Sequence, residues 1–389
     1  LDSYDDSITI DAPDVECTCG GLMTYDGKIL WTRNSDEKVP IGSTTKIMTA
    51  LVALENGSLT DKITVSENAA STEGSTANLT EGDVLTLNDM LYAMMLPSGN
   101  DAAVAIAEYY GNGDVDNFVK LMNQKASELG MTSTHYSSSN GLEDEDNYST
   151  VTDFFKLVPV AMSNDTFAKI VATESFTYTS TSTGNQVTVE NTNEILSTYD
   201  GMTGIKTGFT DSAGYCFVGA AERDGIGFYT VVLGDASDWD RFNDTETLLD
   251  WGFTHYHKVT LLSSDTQVGS AVATDWLDKT VPVAASNDVK AVVFDYDPDL
   301  QQTTTINDRG GAIEKGADMG TVVWTDENGN QVAEAQLVAT ESVDPPSLFQ
   351  TLQIWWCRFT TLFTGDDFSV TQSVDLPSVY KLLSSNTSS

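Results

Sequence analysis

Basic residues are scarce: 19 Lys and Arg stand against 58 Asp and Glu, a formal net charge of −39 over 389 residues. A surface this acidic repels phosphate backbones, which excludes nucleic acid as a partner. It repels anionic lipid as well, so any attachment to a membrane has to be apolar. Cysteine is scarce too. Cys17, Cys19, Cys216 and Cys357 contain no C-x-x-C spacing, so no zinc site is indicated; buried free thiols are expected, and disulfide pairing is not readable from the spacing. The histidines are three, His135, His255 and His257, and the H-x-H pair has no carboxylate or cysteine cluster beside it, so no metal or cofactor is expected. No G-x-S-x-G occurs, which disfavours a Ser-His-Asp hydrolase. No apolar run approaches the roughly 18 residues that a membrane-spanning helix needs. The chain opens Leu1-Asp2-Ser3 without Met, basic n-region or apolar h-region, which reads as a processed or trimmed start.

What is present is the composition of a folded protein, 40% hydrophobic and 9% aromatic, long enough for two domains. Residues 1–257 read as α+β, an antiparallel sheet packed between helical clusters. A hairpin pairs 22–25 with 28–31 across Asp26-Gly27, a two-residue loop suited to a type I′ turn. Apolar periodicity predicts a helix from about Ser43, stopped at Gly57, and others over 87–96, 101–110 and 115–129. Residues 175–193 look like strand and loop. A three-strand meander over 205–210, 215–221 and 226–233 follows, closed by a helix over 240–251. Residues 258–343 show short strands divided by Gly, Asp and Asn turns, a small all-β domain. Asp344-Pro345-Pro346 then opens a last segment, 344–389, with an amphipathic stretch at 348–363 and a polar tail. The stretch carries Leu348, Leu352, Trp355, Phe359 and Leu362 at helical spacing, and Arg358 as its single charge. It reads either as a helix docked on the protein or as one lying in a membrane interface.

Three short motifs carry chemistry. Ser43-Thr44-Thr45-Lys46 is S-x-x-K at a helix start, Ser98-Gly99-Asn100 is S-x-N between two helices, and Lys206-Thr207-Gly208 is K-T-G on a strand entering a hairpin. Residues i and i+3 share a helix face, so Lys46 can take the proton of Ser43, provided its amine is neutral. Burial and the nearby cation Lys206 both favour that state. Backbone N–H groups at the helix start can stabilise an oxyanion. The K-T-G strand can pair with an extended peptide, Gly208 leaving room, while Lys206 and Thr207 offer charge and a hydroxyl to a carboxylate.

In this order and setting, the motifs are those of class A β-lactamases and penicillin-binding proteins. The stretches 40–50, 95–103 and 204–210, with Asn140-Gly141-Leu142, 213–216 and 248–253, resemble serine-type D-alanyl-D-alanine carboxypeptidases, the low-molecular-mass penicillin-binding proteins. The resemblance covers about 15–257 and extends more loosely over 258–343. It implies an enzyme that removes the last D-alanine of a peptidoglycan stem peptide through an acyl-enzyme on Ser43, and that β-lactam antibiotics acylate. It further implies Lys46 as base, Ser98 with Asn100 and Lys206 as the proton route to the leaving amine, and the N–H groups of Ser43 and Phe209 as oxyanion hole. Arg241 falls where the family carries a basic residue near the substrate carboxylate. Such enzymes work outside the cytoplasm, secreted or attached to the outer face of the bacterial cytoplasmic membrane, and 348–363 resembles their C-terminal membrane anchor. Two positions depart from the pattern: Phe209 replaces a polar or His residue, and Ser138-Ser139 replaces Asn-Pro. A D,D-endopeptidase or transpeptidase would share this site. A class A β-lactamase would need a deacylating glutamate, for which Glu143 to Asn147 offers E-x-x-x-N by spacing, read here as a solvated turn. A non-catalytic wall-binding protein would be free to lose part of the set.

Overall fold

The computed structural model describes residues 12–142, 146–294, 300–326, 329–364 and 370–376. The acidic loop residues Glu143, Asp144 and Glu145, the first residues of the chain and most of the polar tail therefore lie outside the described residues. The chain divides into two compact units between Thr254 and His255.

The first unit is built on a five-stranded antiparallel sheet. Its strands are β1 (Cys19–Thr24), β2 (Ile29–Arg33), β3 (Met202–Thr210), β4 (Gly214–Arg223) and β5 (Ile226–Asp235), in spatial order β2-β1-β5-β4-β3. Strands from both ends of the segment thus share one sheet, β1 pairing with β5 over Cys19↔Leu233 to Thr24↔Phe228. Between β2 and β3 the chain forms α1 (Lys46–Asn56), α2 (Leu87–Met95), α3 (Asn100–Tyr110), α4 (Val115–Glu128), α5 (Val151–Met162) and α6 (Asp165–Val171). After β5 comes α7 (Asp238–His255).

Successive strand residues face opposite sides, and β1 shows what covers each. A side chain at Gly21 would strike Val151 and Phe155 of α5, whereas Leu22 packs against Gly252 of α7. Helices on both faces explain why β3, β4 and β5 are buried along most of their length rather than at alternate positions. The α2, α3 and α4 helices follow the expected bounds because their start and stop signals are local. Thr86 and Asp114 accept N-cap bonds from Asp89 and Asp116, and Gly111 closes α3. Two helices go beyond the pattern. The α5 helix contains Pro159 although Val151, Phe154, Phe155 and Val158 keep the helical spacing, and α6 has only 7 residues.

Three expectations need correction in detail. The first hairpin does not turn on two residues: Gly27 alone takes a positive φ, of 94°, while Thr24 N bonds to Lys28 O and Gly27 N to Thr24 O. The loop is Tyr25–Gly27 with glycine at its left-handed position, and the two-residue type I′ geometry occurs instead at Asp224-Gly225, φ 53° and 80°. Ser43 sits on a 3₁₀ turn, Gly42–Thr45, that precedes α1 rather than on the α-helix itself. Gly57 ends α1 without left-handed backbone, its φ being −126°. It is glycine for space, since a Cβ there would lie 1.9 Å from the Tyr110 hydroxyl.

The second unit pairs β6 (Tyr256–Leu262) with β9 (Val289–Phe294). It also holds a six-stranded sheet of β7 (Gln267–Val272), β8 (Thr280–Ala285), β10 (Gln301–Ile306), β11 (Asp318–Thr325), β12 (Gln331–Ala339) and β13 (Ser373–Val374). Its order is β10-β11-β12-β8-β7-β13, around a core of Val259, Val281, Val283, Met319, Trp324 and Leu337. The last helix, α8 (Leu348–Thr364), buries none of its residues. Its apolar stripe faces outward, so the docked reading of that stripe does not hold, and its charge Arg358 bonds to the Thr274 carbonyl at 2.8 Å. Among the described residues no helix is long and apolar enough to cross a membrane.

The close fit at Gly57 has a measurable consequence. The Tyr110 ring cannot retreat without breaking its 2.9 Å bond to Asp61. Gly57→Ala should therefore destabilise the first unit by about 1–3 kcal/mol, read as a lower urea midpoint at unchanged slope.

Candidate active site

The 3₁₀ turn exists because the chain must bring Ser43 against β3. A Cβ on Gly42 would lie 3.0 Å from Phe209 N, and one on Gly208 would lie 2.8 Å from Ile41 O. The two glycines let two backbones touch, which sets the turn of Ser43 beside the strand of Lys206, Thr207 and Phe209. The space at Gly208 therefore serves the Ser43 turn first. Gly42, whose φ is 52°, has a role that the motif spacing does not reveal.

One turn along, Lys46 is fully buried and its Nζ has three partners: Ser43 Oγ at 2.8 Å, Asn100 Oδ1 at 2.7 Å and the Asn140 carbonyl at 2.7 Å. The amide of Asn100 has a fixed sense, because its Nδ2 donates to the Glu73 carbonyl at 2.8 Å. Burial, and then the charge of Lys206, hold the Lys46 pKa well below the usual lysine range, with Asp101 opposing. A neutral amine has two N–H groups and one lone pair. Asn100 Oδ1 and Asn140 O can only accept, so they take both N–H groups and the lone pair is left facing the Ser43 hydroxyl. The arrangement is that of a serine poised for deprotonation by a lysine.

The third contact comes from a loop that sequence reasoning noted without giving it a function. Gly141 has φ 76° and would drive a Cβ to within 1.9 Å of Gly42 O. Thr49 Oγ1 donates to Ser139 O at 2.6 Å, and Asn147 Nδ2 to Thr45 Oγ1 at 2.8 Å. Asn147, the N of the E-x-x-x-N spacing, is thus a buried brace. Asp101 was also outside the motifs: fully buried, it accepts from Ala77 N, Leu79 N and Thr76 Oγ1. It pins the segment whose Ser75 carbonyl takes the Asn100 N–H.

Ser98 is buried with φ 63°, a strained value for a non-glycine residue, and its Oγ has no hydrogen-bond partner among the described residues. The glycine after it is obligatory, since a Cβ would meet the Ala93 carbonyl at 2.5 Å. Lys206 is buried and donates to the Thr207 carbonyl at 3.0 Å; burial and the Arg241 charge lower its pKa to about 7. Thr207 is buried, whereas Phe209 is 46% exposed and lies with its ring centroid 4.4 Å from that of Tyr215. Arg241 donates to the Gly208 carbonyl at 3.0 Å and pairs with Asp238, so its guanidinium braces the K-T-G strand. Ser43, Lys46 and Asn100 are therefore bonded directly, Lys206 to Phe209 stand against their turn, and Arg241 reaches them through Gly208. Among the described residues no group of His, Cys, Asp and Glu could hold a metal ion.

A sheet between helical clusters with a Ser–Lys pair at one end defines the serine enzymes that work by acyl transfer. A family model described as D-alanyl-D-alanine carboxypeptidase matches residues 8–237. The D-alanyl-D-alanine carboxypeptidase DacF of Bacillus subtilis is 31% identical, over 82% of this chain and 83% of its own. That of Streptomyces sp. K15 is 40% identical, over 58% and 83%. Among solved structures, the Streptomyces K15 DD-transpeptidase has a TM-score of 0.60 at 36% identity, covering 63% of this chain and 100% of that one. DacD from Francisella tularensis has a TM-score of 0.63 at 28% identity, covering 88% and 98%. The chain belongs to the D-alanyl-D-alanine carboxypeptidase family; it is a serine-type peptidase, a hydrolase with that carboxypeptidase activity.

Lys206 gives a test of sign. Between about pH 7 and its ordinary 10.5 the folded chain binds fewer protons there than the unfolded chain, so stability rises with pH across that window. Lys206→Met removes the burial cost. It should raise the melting temperature at pH 7 by about 2–4 °C, with the gain fading towards pH 10.5, while D-alanine release is lost. Calorimetric scans across pH check it.

Proposed function

We propose that Ser43 is the acylated nucleophile and that the enzyme shortens peptidoglycan stem peptides ending in D-Ala-D-Ala. Lys46 takes the Ser43 proton as Oγ attacks the carbonyl carbon of the penultimate D-alanine. The oxyanion that forms is met by the N–H groups of Ser43 and Phe209. Ser98, two residues before Asn100, gives its hydroxyl proton to the leaving amine and regains one from protonated Lys46, which is neutral again as the last D-alanine departs. Water then hydrolyses the ester, returning a proton to Ser43 and releasing the shortened peptide. Lys206 and Thr207 receive the terminal carboxylate; Arg241 adds positive potential through the strand it braces. A β-lactam acylates the same oxygen. The single observation that carries this reading is the contact set of Lys46, which leaves its lone pair no partner but Ser43.

The test is D-alanine release from diacetyl-Lys-D-Ala-D-Ala, with a mass measurement of the penicillin adduct. Ser43→Ala should abolish both. Lys46→Met should lower acylation by at least about 10²-fold in a chain that still folds. Release that persists in Ser43→Ala, or an adduct on another residue, overturns the assignment. Rapid β-lactam hydrolysis without D-alanine release would favour a lactamase instead.

The site of action is extracytoplasmic, at the outer face of the membrane, with α8 as an interfacial anchor. What supports this is its exposed stripe: Leu348, Phe349, Leu352, Trp355, Trp356 and Leu362 are each at least 60% exposed. Trp and Phe suit the interface, and a chain of charge −39 gains nothing from anionic lipid. The full chain should sediment with phosphatidylcholine vesicles and hold on at high salt, and Trp355→Ser with Leu362→Ser should release it. Binding that needs anionic lipid or vanishes in salt would contradict the anchor.

A further inference from the structure

The segment Asn191–Asn193 lies outside all three motifs, yet it ties the two walls of the site together. Thr192 N donates to the Leu96 carbonyl at 3.0 Å, directly before Pro97-Ser98. On the other side, Thr192 Oγ1 lies 2.6 Å from Thr207 Oγ1. Its flanks are pinned: Asn191 Nδ2 donates to the Val171 and Thr173 carbonyls, and Asn193 Oδ1 accepts from Ile195 N. The hydroxyl of Thr192 is thus held at Thr207 by backbone bonds as well as by its own.

Each threonine hydroxyl has one proton to give. At 2.6 Å one of the two donates to the other, and without substrate either direction serves. A carboxylate at Thr207 removes the choice. The hydrogen bond to an anion is the stronger one, so Thr207 gives its proton to the carboxylate and can only accept from Thr192. We propose that Thr192 is a positioning residue for substrate recognition: its hydroxyl donates to Thr207 and so commits the Thr207 proton to the terminal carboxylate of the peptide. This rests on the reading that Lys206 and Thr207 receive that carboxylate. The two bonds in series polarise each other, strengthening the outer one. Valine has the shape of threonine and cannot donate; serine can.

The experiment measures kcat and KM for release of the C-terminal residue from diacetyl-Lys-D-Ala-D-Ala and from the same peptide ending in D-alaninamide. The chains compared are wild type, Thr192→Val, Thr192→Ser, Thr207→Val and the double valine variant, each checked by melting temperature. Thr192→Ala replaces the valine variant should that fail to fold. Thr192→Val should lower kcat/KM on the carboxylate peptide about fivefold to tenfold, chiefly as a raised KM, and leave the amide peptide within about twofold. Thr192→Ser should stay near wild type, and adding Thr192→Val to Thr207→Val should cost no more than about another twofold. An equal fall on both peptides, or no fall where Thr207→Val has one, overturns the role of Thr192 alone. If Thr207→Val keeps the wild-type preference for carboxylate over amide, the carboxylate reading falls, and the role of Thr192 with it.

Discussion

The site depends on one buried amine. Lys46 has no exposure to solvent, and its three contacts come from three separate stretches of chain: Ser43 one turn before it, Asn100 at the start of α3, and the carbonyl of Asn140. An ammonium in that position is costly and a neutral amine is not. The fold therefore favours the neutral amine at Lys46 by enclosing it. Much of the surrounding structure serves the enclosure. Asp101 pins the segment that orients Asn100, Gly141 and Asn147 hold the Asn140 loop against the Ser43 turn, and Gly208 and Gly42 let β3 close on that turn.

Charge is distributed to the same end. In a chain of net charge −39, three basic groups are gathered at the acylation site, and all three are buried. Two of them disfavour the charge of the next: Lys206 acts on Lys46, and Arg241 on Lys206. Without substrate this is mutual repulsion; with a carboxylate present it becomes attraction. A lysine pair of this kind trades stability for reactivity.

The second unit is constructed on different terms. Its sheet core is small and apolar, and α8 presents aromatic residues to the outside with Arg358 turned back to Thr274. Nothing in that helix is buried, which sets it apart from α1 to α7, each of which buries an apolar face. Its amphipathic pattern was plain in the sequence, since a helical period is a local property. Which side faced the protein was not, because either face of such a helix can be the one that packs.

Local features were legible in the residues themselves. The S-x-x-K spacing puts Lys46 beside Ser43 on any helical backbone, N-cap and Gly signals bound α2 to α4, and Asp224-Gly225 marks its own turn. The α5 helix carries a breaker, Pro159, behind a regular apolar spacing of Val151, Phe154, Phe155 and Val158, and the first hairpin turned differently because Asp26 accepts from Thr24 instead of adopting positive φ. The order β2-β1-β5-β4-β3 and the burial of Lys46 belong to tertiary structure, as do the Asn140 carbonyl and the Thr192 hydroxyl. A backbone carbonyl has no signature in a sequence, and the partner of a hydroxyl 15 residues away is chosen by how strand and loop pack. The sequence alone determined which groups could do acyl transfer; the folded chain decided which of them touch, because contact distance and desolvation exist only after the segments have met.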